Sequence, residues 1–267
     1  MKIFIIVLDD AVYLPRIYEK VLKERHKNVI GITPISAILP KQSLIDFIKK
    51  HIACFGFTIF SLFVARALFF SAVDKIGKLF GIKKAYSISS LAKKYNIPVY
   101  KTKSINDPKY IQQLRDLQVD VLISSQPQIM KKEILSVAKK GCINSHSALL
   151  PKYRGLLPMF WALLHNEKKV GISVHFMTEK IDAGKIICQE AFAVEPNDTF
   201  DSLYKKSGMV LKLAKELYQK SWNEIDNKFF TSFSDWKTTT GFGTNSLIEN
   251  ITFIDTNYLR YINSNLK

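Results

Sequence analysis

The run KIFIIVL, residues 2–8, contains six apolar residues with no alternating polar positions. Continuous β-branched and apolar runs of this kind are typical of a strand that is buried on both faces of a sheet. Helical spacing of apolar residues follows at Tyr13–Arg25, and a second apolar run at Asn28–Thr33 is closed by Pro34. Strand, helix and strand in this order predict the beginning of an α/β sheet.

The same alternation resumes after residue 86. Helices are predicted at 87–95, 108–117, 131–138 and 158–165, and strands at 99–101, 120–124, 141–145 and 171–177. Parallel strands joined by helices align their carboxyl ends along one edge, where α/β proteins bind ligands. We therefore predict an α/β fold with a Rossmann-like, mostly parallel sheet flanked by helices. No G-x-G-x-x-G and no G-x-x-x-x-G-K-[ST] sequence follows these strands, so a dinucleotide site or a P-loop has no support.

The chain of 267 residues carries 39 Lys and Arg against 23 Asp and Glu, a formal net charge of +16. This surplus favours anionic partners, namely nucleic acid, phosphorylated metabolites or an acidic membrane face, although a high lysine content can also be compositional drift. Cys54, Cys142 and Cys188 show no metal-ligand spacing, so we predict free thiols, no metal and a reducing, cytoplasmic compartment. The amino terminus is interpreted as a first strand rather than a signal peptide.

Residues 53–73, ACFGFTIFSLFVARALFFSAV, interrupt the alternation with a stretch in which Arg66 is the only charge. A helix that is apolar nearly all round must be buried in something. Three placements remain open: a core or homodimer-interface helix, a helix at the membrane surface beside flanking lysines, or a membrane span, which Arg66 makes costly. Because the alternation of strands continues beyond it, we interpret residues 40–85 as an apolar helical insertion.

The last segment also departs from the pattern. After Trp222, aromatic and β-branched clusters are separated by Gly, Thr and Asn, and the segment is short for an independent domain. We predict a catalytic domain over residues 1–222 and a short C-terminal extension over residues 223–267.

The block from Gly141 to Glu190 holds the residues that indicate chemistry. Asn144 and His146 alternate at the end of a predicted strand and so share one face, and Asp182 lies in a D-A-G turn. An amide can donate to a developing oxyanion, an imidazole can carry protons, and a neighbouring carboxylate would raise the imidazole pKa. No Ser or Cys is placed as a nucleophile, so acyl transfer directly to a substrate amine is favoured. On these residues alone, an ordinary strand end and turn remain the alternative.

Four motifs follow one another between residues 144 and 189: N-S-H-S-A-L-L-P-K-Y-R-G, W-A-L-L, G-I-S-V-H-F-M and I-D-A-G-K-I-I-C-Q. In this order they resemble the formyltransferases that use N10-formyltetrahydrofolate, a group that includes methionyl-tRNA, glycinamide ribonucleotide and sugar N-formyltransferases. The resemblance is dense over residues 119–195 and loose over 1–36 and 87–118. It is absent from the apolar insertion and from the tail.

The resemblance implies the formyltransferase fold, N10-formyltetrahydrofolate as the formyl donor, and Asn144, His146 and Asp182 as the catalytic residues. It implies a folate pocket formed by backbone near Thr178 and Ile181 and by the loop Gln126, Pro127, Gln128, Ile129 and Met130, in which Gln126 and Pro127 depart from the family's usual residues. The candidate acceptor contacts are Asp9, Asp10, Ser147, Lys152, Tyr153 and Arg154.

The motifs do not fix the amine acceptor. An amino sugar carried on a nucleotide or a lipid is favoured, since an apolar helix among lysines suits a substrate made at the cytoplasmic face of a membrane, as in lipopolysaccharide biosynthesis. Methionyl-tRNA suits the charge of +16 but its enzymes usually carry a C-terminal barrel and a basic loop, so nucleic acid is a less favoured partner. A non-catalytic binding protein on the same fold is the remaining alternative. We expect a cytoplasmic protein, peripheral at the inner face of the membrane.

Overall fold

The computed structural model describes residues 1–80 and 85–207, apart from the side chains of residues 78 and 79. Its strands are β1 (Ile3–Leu8), β2 (Val29–Ile35), β3 (Val121–Ser125), β4 (Cys142–His146), β5 (Lys169–Phe176) and β6 (Ile186–Ala193). Its α-helices are α1 (Leu14–Arg25), α2 (Leu44–Leu79), α3 (Ile88–Lys94), α4 (Pro108–Asp116), α5 (Lys132–Leu135) and α6 (Pro158–Leu164). Residues 200–207 are also helical.

The six strands form one sheet in the order β2-β1-β3-β4-β5-β6. The pairs β1–β2, β1–β3 and β3–β4 are parallel, whereas β4–β5 and β5–β6 are antiparallel. The predicted α/β fold with a mostly parallel, helix-flanked sheet is therefore confirmed. The strand β6 was not predicted from the sequence, because its side chains alternate only weakly between buried and exposed at the sheet edge.

The strand β1 explains why its sequence is apolar throughout. Ile3, Ile5 and Val7 point to the face covered by α1 and α3, while Phe4 and Ile6 point to the face covered by α4 and α5. All five side chains are buried. A central parallel strand has no solvent face, so no position in it favours a polar residue.

Two predictions at the other end of the sheet were wrong. Pro34 does not close β2 but lies inside it, opposite Val7. β2 is the last strand of the named sheet, where a residue without an N–H leaves no ladder bond broken. The predicted strand at 99–101 is reduced to one bridge between Val99 and Ile32.

The apolar insertion is a helix, α2, that breaks at Gly56, where φ is 74° and ψ is 160°. It is long and apolar enough to cross a membrane by length and composition, and none of the residues in its most apolar stretch is buried. A placement inside the core of the described protein is therefore wrong. The homodimer-interface and membrane placements stay open at this point. The predicted boundary at residue 222 and the extension over 223–267 lie outside the described residues.

Candidate active site

The sheet register places Asn144 at the centre of the candidate site. In β4, Asn144 lies beside Ser124 of the parallel strand β3 and beside His175 of the antiparallel strand β5. The change from parallel to antiparallel pairing therefore occurs at the strand that carries Asn144 and His146. Both side chains lie at the carboxyl end of β4, as the alternation of the sequence predicted.

Asp182 reaches this strand end from the turn after β5. Its Oδ1 lies 3.4 Å from the Nδ2 of Asn144, and its Oδ2 lies 3.5 Å from the Nδ1 of His146. The backbone N–H of Gly155 donates to Oδ2 at 2.8 Å and fixes the carboxylate. Asp182 has φ 45°, in the left-handed region that non-glycine residues seldom adopt, and such conformations concentrate at functional sites. The structure thus brings together all three residues that the sequence singled out.

The tautomer of His146 follows from its second ring nitrogen. Nε2 lies 2.7 Å from the carbonyl oxygen of Tyr153, and a carbonyl can only accept, so Nε2 carries the proton. In the neutral ring, Nδ1 is then an unprotonated nitrogen that faces Asp182. His146 can therefore take up a proton at Nδ1, beside a carboxylate that would stabilise the resulting charge.

Burial decides the resting charge of this pair. It lowers the pKa of His146 below its ordinary value of 6.5, and the opposing effects of Asp182 and of the Tyr153 carbonyl do not fully offset it. The carboxylate raises this pKa as predicted, but the loss of hydration, which was not predicted, is the larger effect. Burial alone would raise the pKa of Asp182, but the hydrogen bond from His175 and the nearby His146 lower it below 3.8. The site therefore rests with a neutral imidazole and an ionised carboxylate at neutral pH.

A second histidine, His175, was missed by sequence reasoning. Its Nε2 lies 3.4 Å from Oδ1 of Asp182 and 3.4 Å from Nδ2 of Asn144, and its Nδ1 lies 2.8 Å from the carbonyl oxygen of Phe176. His175 is 1% exposed. The signal was present in the motif G-I-S-V-H-F-M, where Ser173 and His175 are the polar residues on the face opposite Ile172 and Val174.

Ser173 holds the catalytic loop to the sheet. Its hydroxyl donates to the carbonyl oxygen of Ala148 at 2.5 Å and accepts from the N–H of Leu150 at 3.0 Å. Gln189 of β6 donates to the same hydroxyl at 2.8 Å and to the Leu150 carbonyl oxygen at 2.9 Å. The segment between His146 and Gly155 is therefore fixed by side chains of β5 and β6, although it has no regular structure of its own.

The turn that presents Asp182 needs the glycine at 184, because the chain passes close to the backbone of β5 there. A Cβ at Gly184 would lie 1.8 Å from the carbonyl oxygen of Phe176. The close neighbour is thus the backbone of β5, and not a ligand. Gly184 allows the chain to pass tightly over the strand, which places Asp182 above Asn144 and His146.

In the loop predicted to bind the folate, two of the five side chains are buried inside the protein. Met130 is buried in the core cluster between α4 and α5, and the side chain of Gln128 bonds the N–H of Ile105 and the carbonyl oxygen of Lys103. These two side chains point away from solvent, so a ligand would meet the backbone of these residues, and their predicted part in the folate pocket stays a prediction. Gln126, Pro127 and Ile129 remain at the surface, and Ile129 is largely exposed.

The other half of the predicted folate pocket follows β5. The Thr178 hydroxyl donates to the carbonyl oxygen of Lys180 at 3.1 Å, and Ile181 is exposed next to Asp182. The loop at 126–130 begins one strand away from Asn144, since Ser124 pairs with Asn144. Ile129 and Ile181 are exposed apolar side chains in the two predicted halves of this pocket, and their contact with the folate stays a prediction.

Asp9 and Asp10, two of the residues predicted to contact the substrate amine, form hydrogen bonds with backbone N–H groups. The Asp10 carboxylate accepts from the N–H groups of Val12 and Tyr13 at 2.6 and 3.1 Å, and so caps the start of α1. The Asp9 carboxylate accepts from the N–H of Ile88 at 3.2 Å. Burial raises the pKa of Asp10 above 3.8. These hydrogen bonds give both aspartates a structural role. Their predicted contact with the substrate amine remains a prediction.

The candidates on the catalytic loop surround a cavity. Lys152 and the Tyr153 hydroxyl both bond Oε1 of Glu167, at 2.9 and 2.8 Å. Ser147, Lys152 and Tyr153 line a cavity of about 330 Å³ that lies behind the loop. The Nε of Arg154 is buried and has no hydrogen-bond partner among the described residues. This atom does not reach solvent, whereas Arg154 as a whole is half-buried, and its predicted contact with the substrate amine stays a prediction.

The sequence and the fold both match known proteins. The family described as formyl transferase matches residues 60–219. Over 146 residues, 52% of the chain, the sequence is 42% identical to the bifunctional polymyxin resistance protein ArnA of Wigglesworthia glossinidia brevipalpis. Over 156 residues, 57% of the chain, it is 31% identical to methionyl-tRNA formyltransferase of Staphylococcus aureus strain JH1. The matches cover 22% and 50% of these relatives, so the chain spans half of them or less.

Two solved structures show the same fold. Phosphoribosylglycinamide formyltransferase of Bacillus halodurans matches with a TM-score of 0.52 and 18% identity, over 85% of this chain and 100% of that one. WlaRD, a sugar 3N-formyl transferase, matches with a TM-score of 0.51 and 22% identity, over 86% of this chain and 65% of that one. The family match covers more than half of the sequence and includes Asn144, His146 and Asp182. The chain belongs to the formyl transferase family.

Proposed function

We propose that this chain transfers the formyl group of N10-formyltetrahydrofolate to the primary amine of an amino sugar linked to a nucleotide or a lipid. One observation supports the assignment of the reaction as acyl transfer to an amine. The amide of Asn144 and the imidazole of His146 lie 3.4 and 3.5 Å from the two oxygens of the Asp182 carboxylate, at the carboxyl end of the sheet. A donor, a proton acceptor and a buried anion in one place are what acyl transfer to an amine requires.

Each of the three residues has a distinct role in this reaction. Asn144 donates an N–H to the formyl oxygen while negative charge develops there. His146, neutral at rest, takes the amine proton at Nδ1 as the new carbon–nitrogen bond forms. Asp182 stabilises the imidazolium, which returns its proton to the departing folate nitrogen as the old carbon–nitrogen bond breaks. The proton count balances without a metal or an external base.

Three observations favour an amino sugar as the acceptor. Identity to the polymyxin resistance protein, 42%, exceeds the 31% identity to the tRNA enzyme over a similar length. One solved structure of this fold is a sugar 3N-formyl transferase crystallised with dTDP and 5-N-formyl-THF. Arg154, a half-buried arginine on the catalytic loop, suits a phosphorylated carrier. Methionyl-tRNA is the second candidate, because its formyltransferase also matches and the chain carries a charge of +16.

The test uses the full chain with N10-formyltetrahydrofolate and four acceptors offered separately: a nucleotide-linked amino sugar, a polyprenyl-phosphate-linked amino sugar, methionyl-tRNA and glycinamide ribonucleotide. Mass spectrometry then detects the gain of one formyl group. We expect the gain on one or both sugars and not on the other two. Formylation of methionyl-tRNA alone would overturn the sugar assignment, and no transfer to any acceptor by a folded chain would overturn the activity.

His146→Gln and Ser145→Ala provide the matched pair for this test. His146→Gln keeps a polar side chain but removes the proton acceptor, so transfer should fall by about 10²–10⁴. Ser145 precedes His146 in β4 and points to the opposite face of the strand, so Ser145→Ala should leave formyl transfer within a few-fold of the unmodified chain. Equal losses in the two variants would show that the integrity of the strand, and not the imidazole, determines the rate.

A further inference from the structure

The inward face of α2 is bonded to the rest of the protein along most of its length. Arg66 is the charge that makes a membrane span costly. It points inward and donates to Oδ1 of Asp201 at 2.8 Å. The Phe55 ring lies 5.6 Å from that of Phe200, and the Asp74 carboxylate accepts from the Tyr86 N–H at 2.7 Å. Inward contacts thus extend from residue 55 to residue 74.

The outward face of α2 is apolar and uncovered in the described structure. Phe57, Leu62, Leu68, Phe69 and Ile76 are each between 54% and 71% exposed. At 100° per residue these five side chains fall within an arc roughly 140° wide, the width of the apolar face of an amphipathic helix. Arg66 and Asp74 lie outside this arc. From Phe57 to Ala72, about four turns, the exposed arc carries no charge, and Lys75 lies at its edge beyond them. An uncharged apolar face of this length marks a binding surface.

Positive side chains stand at both ends of this face. Lys49 and Lys50 are exposed at its beginning and Lys75 is exposed at its end, and the whole chain carries a charge of +16. Large apolar side chains flanked by lysines are typical of helices that lie in the interface of an anionic bilayer, where each lysine adds an attraction of about 1 kcal/mol.

The contacts of α2 decide between lying on the membrane and crossing it. The 20 residues from Phe55 to Asp74 span about 30 Å at 1.5 Å per residue, close to the thickness of a hydrocarbon core. Since the inward face contacts the rest of the protein along this length, with polar contacts at Arg66 and Asp74, a crossing helix would carry the domain into the lipid. A helix parallel to the membrane surface keeps these contacts and buries only the outward face.

A second copy of the chain is a poorer match to the same face. Two outward faces that cover each other in antiparallel register would place Lys75 of one copy near Lys49 and Lys50 of the other. In parallel register, Lys75 of one copy would lie near Lys75 of the other, and Lys49 and Lys50 near their own equivalents. In either case cations face cations, and both molecules carry a charge of +16. Anionic lipid offers the opposite charge at both ends.

We propose that the outward face of α2 binds the interfacial layer of an anionic bilayer, with the helix parallel to the membrane surface. The same contacts orient the active site. Phe55 packs on Phe160 of α6, which follows the catalytic loop, and Arg66 lies over the ring of Tyr13 at the start of α1. Both contacts are at the edge of the sheet where Asn144 lies. If the proposed function holds, this orientation brings the site close to amines on lipid carriers.

The test measures binding of the full chain to vesicles by flotation. Vesicles of phosphatidylcholine alone are compared with vesicles that also contain phosphatidylglycerol, at low and high salt. We expect binding to the anionic vesicles, at least tenfold weaker binding to the neutral ones, and weakening by salt. The double variant Leu68→Glu/Phe69→Glu should bind at least tenfold more weakly than the unmodified chain. Gln112→Glu/Gln113→Glu is the matched control, since it adds the same charge on exposed positions of α4, on the other side of the sheet.

Ala65→Phe separates lipid from a helical partner. Ala65 lies at the centre of the exposed arc, so a phenyl ring there adds apolar surface for lipid but blocks close approach of a second helix. The proposal requires that Ala65→Phe binds vesicles at least as well as the unmodified chain. It is overturned if the unmodified chain binds no vesicles, or if it is a dimer that Ala65→Phe dissociates together with any vesicle binding. Formyl transfer to a soluble acceptor is measured for every variant. Unchanged transfer without vesicle binding would refute the membrane proposal alone, whereas vesicle binding without transfer would refute the proposed function alone.

Discussion

The Nδ1 of His146 lies 3.5 Å from the Oδ2 of Asp182, and both side chains are about nine-tenths buried. The carboxylate also accepts the N–H of Gly155, so its position does not depend on the histidine. The imidazole is similarly held by the Tyr153 carbonyl oxygen at its other nitrogen. Two independently fixed groups face each other across a gap just longer than a hydrogen bond. In this arrangement Nδ1 of His146 can take up a proton during the reaction, and the Asp182 carboxylate stabilises the resulting charge.

Asp182→Asn should lower kcat by about 10²–10⁴ while the protein stays folded. The amide oxygen can still accept from Gly155, but it no longer stabilises an imidazolium at His146. The measurement is the initial rate of formyl transfer at saturating donor and acceptor, together with the thermal midpoint. A variant with normal kcat and a normal midpoint would show that the charge of Asp182 has no part in the reaction.

The same substitution should shift the pH profile. The pKa of His146 already lies below 6.5 because of burial, and Asp182 is the main influence that opposes the lowering. Without the carboxylate this pKa should fall further. The acid limb of log kcat/KM, which follows deprotonation of His146, should therefore move to lower pH in Asp182→Asn. A limb that moved to higher pH would contradict the assignment of this limb to His146.

Much of this site could be predicted from the sequence because local rules fix it. The alternation of Asn144 and His146 follows from strand geometry, and their place at the sheet edge follows from the parallel order of β1, β3 and β4. The depth of burial could not be predicted, since it depends on how loops and strands distant in sequence close over the site. For that reason the sequence predicted the carboxylate that raises the pKa of His146, but not the burial whose opposite effect on this pKa is larger.

Other features needed tertiary information. The composition of α2 could not show that Arg66 bonds Asp201, 135 residues away, and so leaves the outer face uncharged between Phe57 and Ala72. Pro34 was interpreted as a strand end because its position at the sheet edge is not visible in the sequence. The burial of the Gln128 and Met130 side chains could not be predicted for the same reason. It depends on contacts with the segment around residues 103–106 and with α5.

His175→Gln should lower kcat by roughly tenfold to 100-fold, a smaller loss than that of His146→Gln. His175 reaches Asp182 and Asn144 at 3.4 Å but is 1% exposed, so it acts as a positioning residue. Glutamine retains a donor for Asp182 in a side chain of similar length. His175→Ala should lose more activity and also destabilise the fold, because it leaves buried polar groups unpaired. Equal kcat in the Gln and Ala variants would show that the contact with Asp182 does not matter.

Stability should fall on acidification in two steps of the same sign. The folded pKa of His146 lies below 6.5, so the unfolded chain binds the proton more readily and stability is lost as the pH falls below 6.5 towards the folded value. The folded pKa of Asp182 lies below 3.8, so its contribution is present above 3.8 and is lost as the pH falls through the folded value. Thermal midpoints between pH 7.5 and pH 4.5 isolate the first step. His146→Gln should show a shallower decline over this range than the unmodified chain, and an identical decline would place the titrating group elsewhere.

Gly184→Ala should destabilise the protein by about 3 kcal/mol, because the new Cβ would lie 1.8 Å from the carbonyl oxygen of Phe176 and only backbone movement can relieve the overlap. That movement displaces the turn that presents Asp182, so kcat should fall together with the midpoint of urea unfolding. Gly155→Ala is the matched control. A Cβ there meets no atom within 4 Å, and only the φ of 91° opposes the substitution, so its loss should be about 1 kcal/mol. If the two variants are equally stable, the close passage over β5 is not what fixes the position of Asp182.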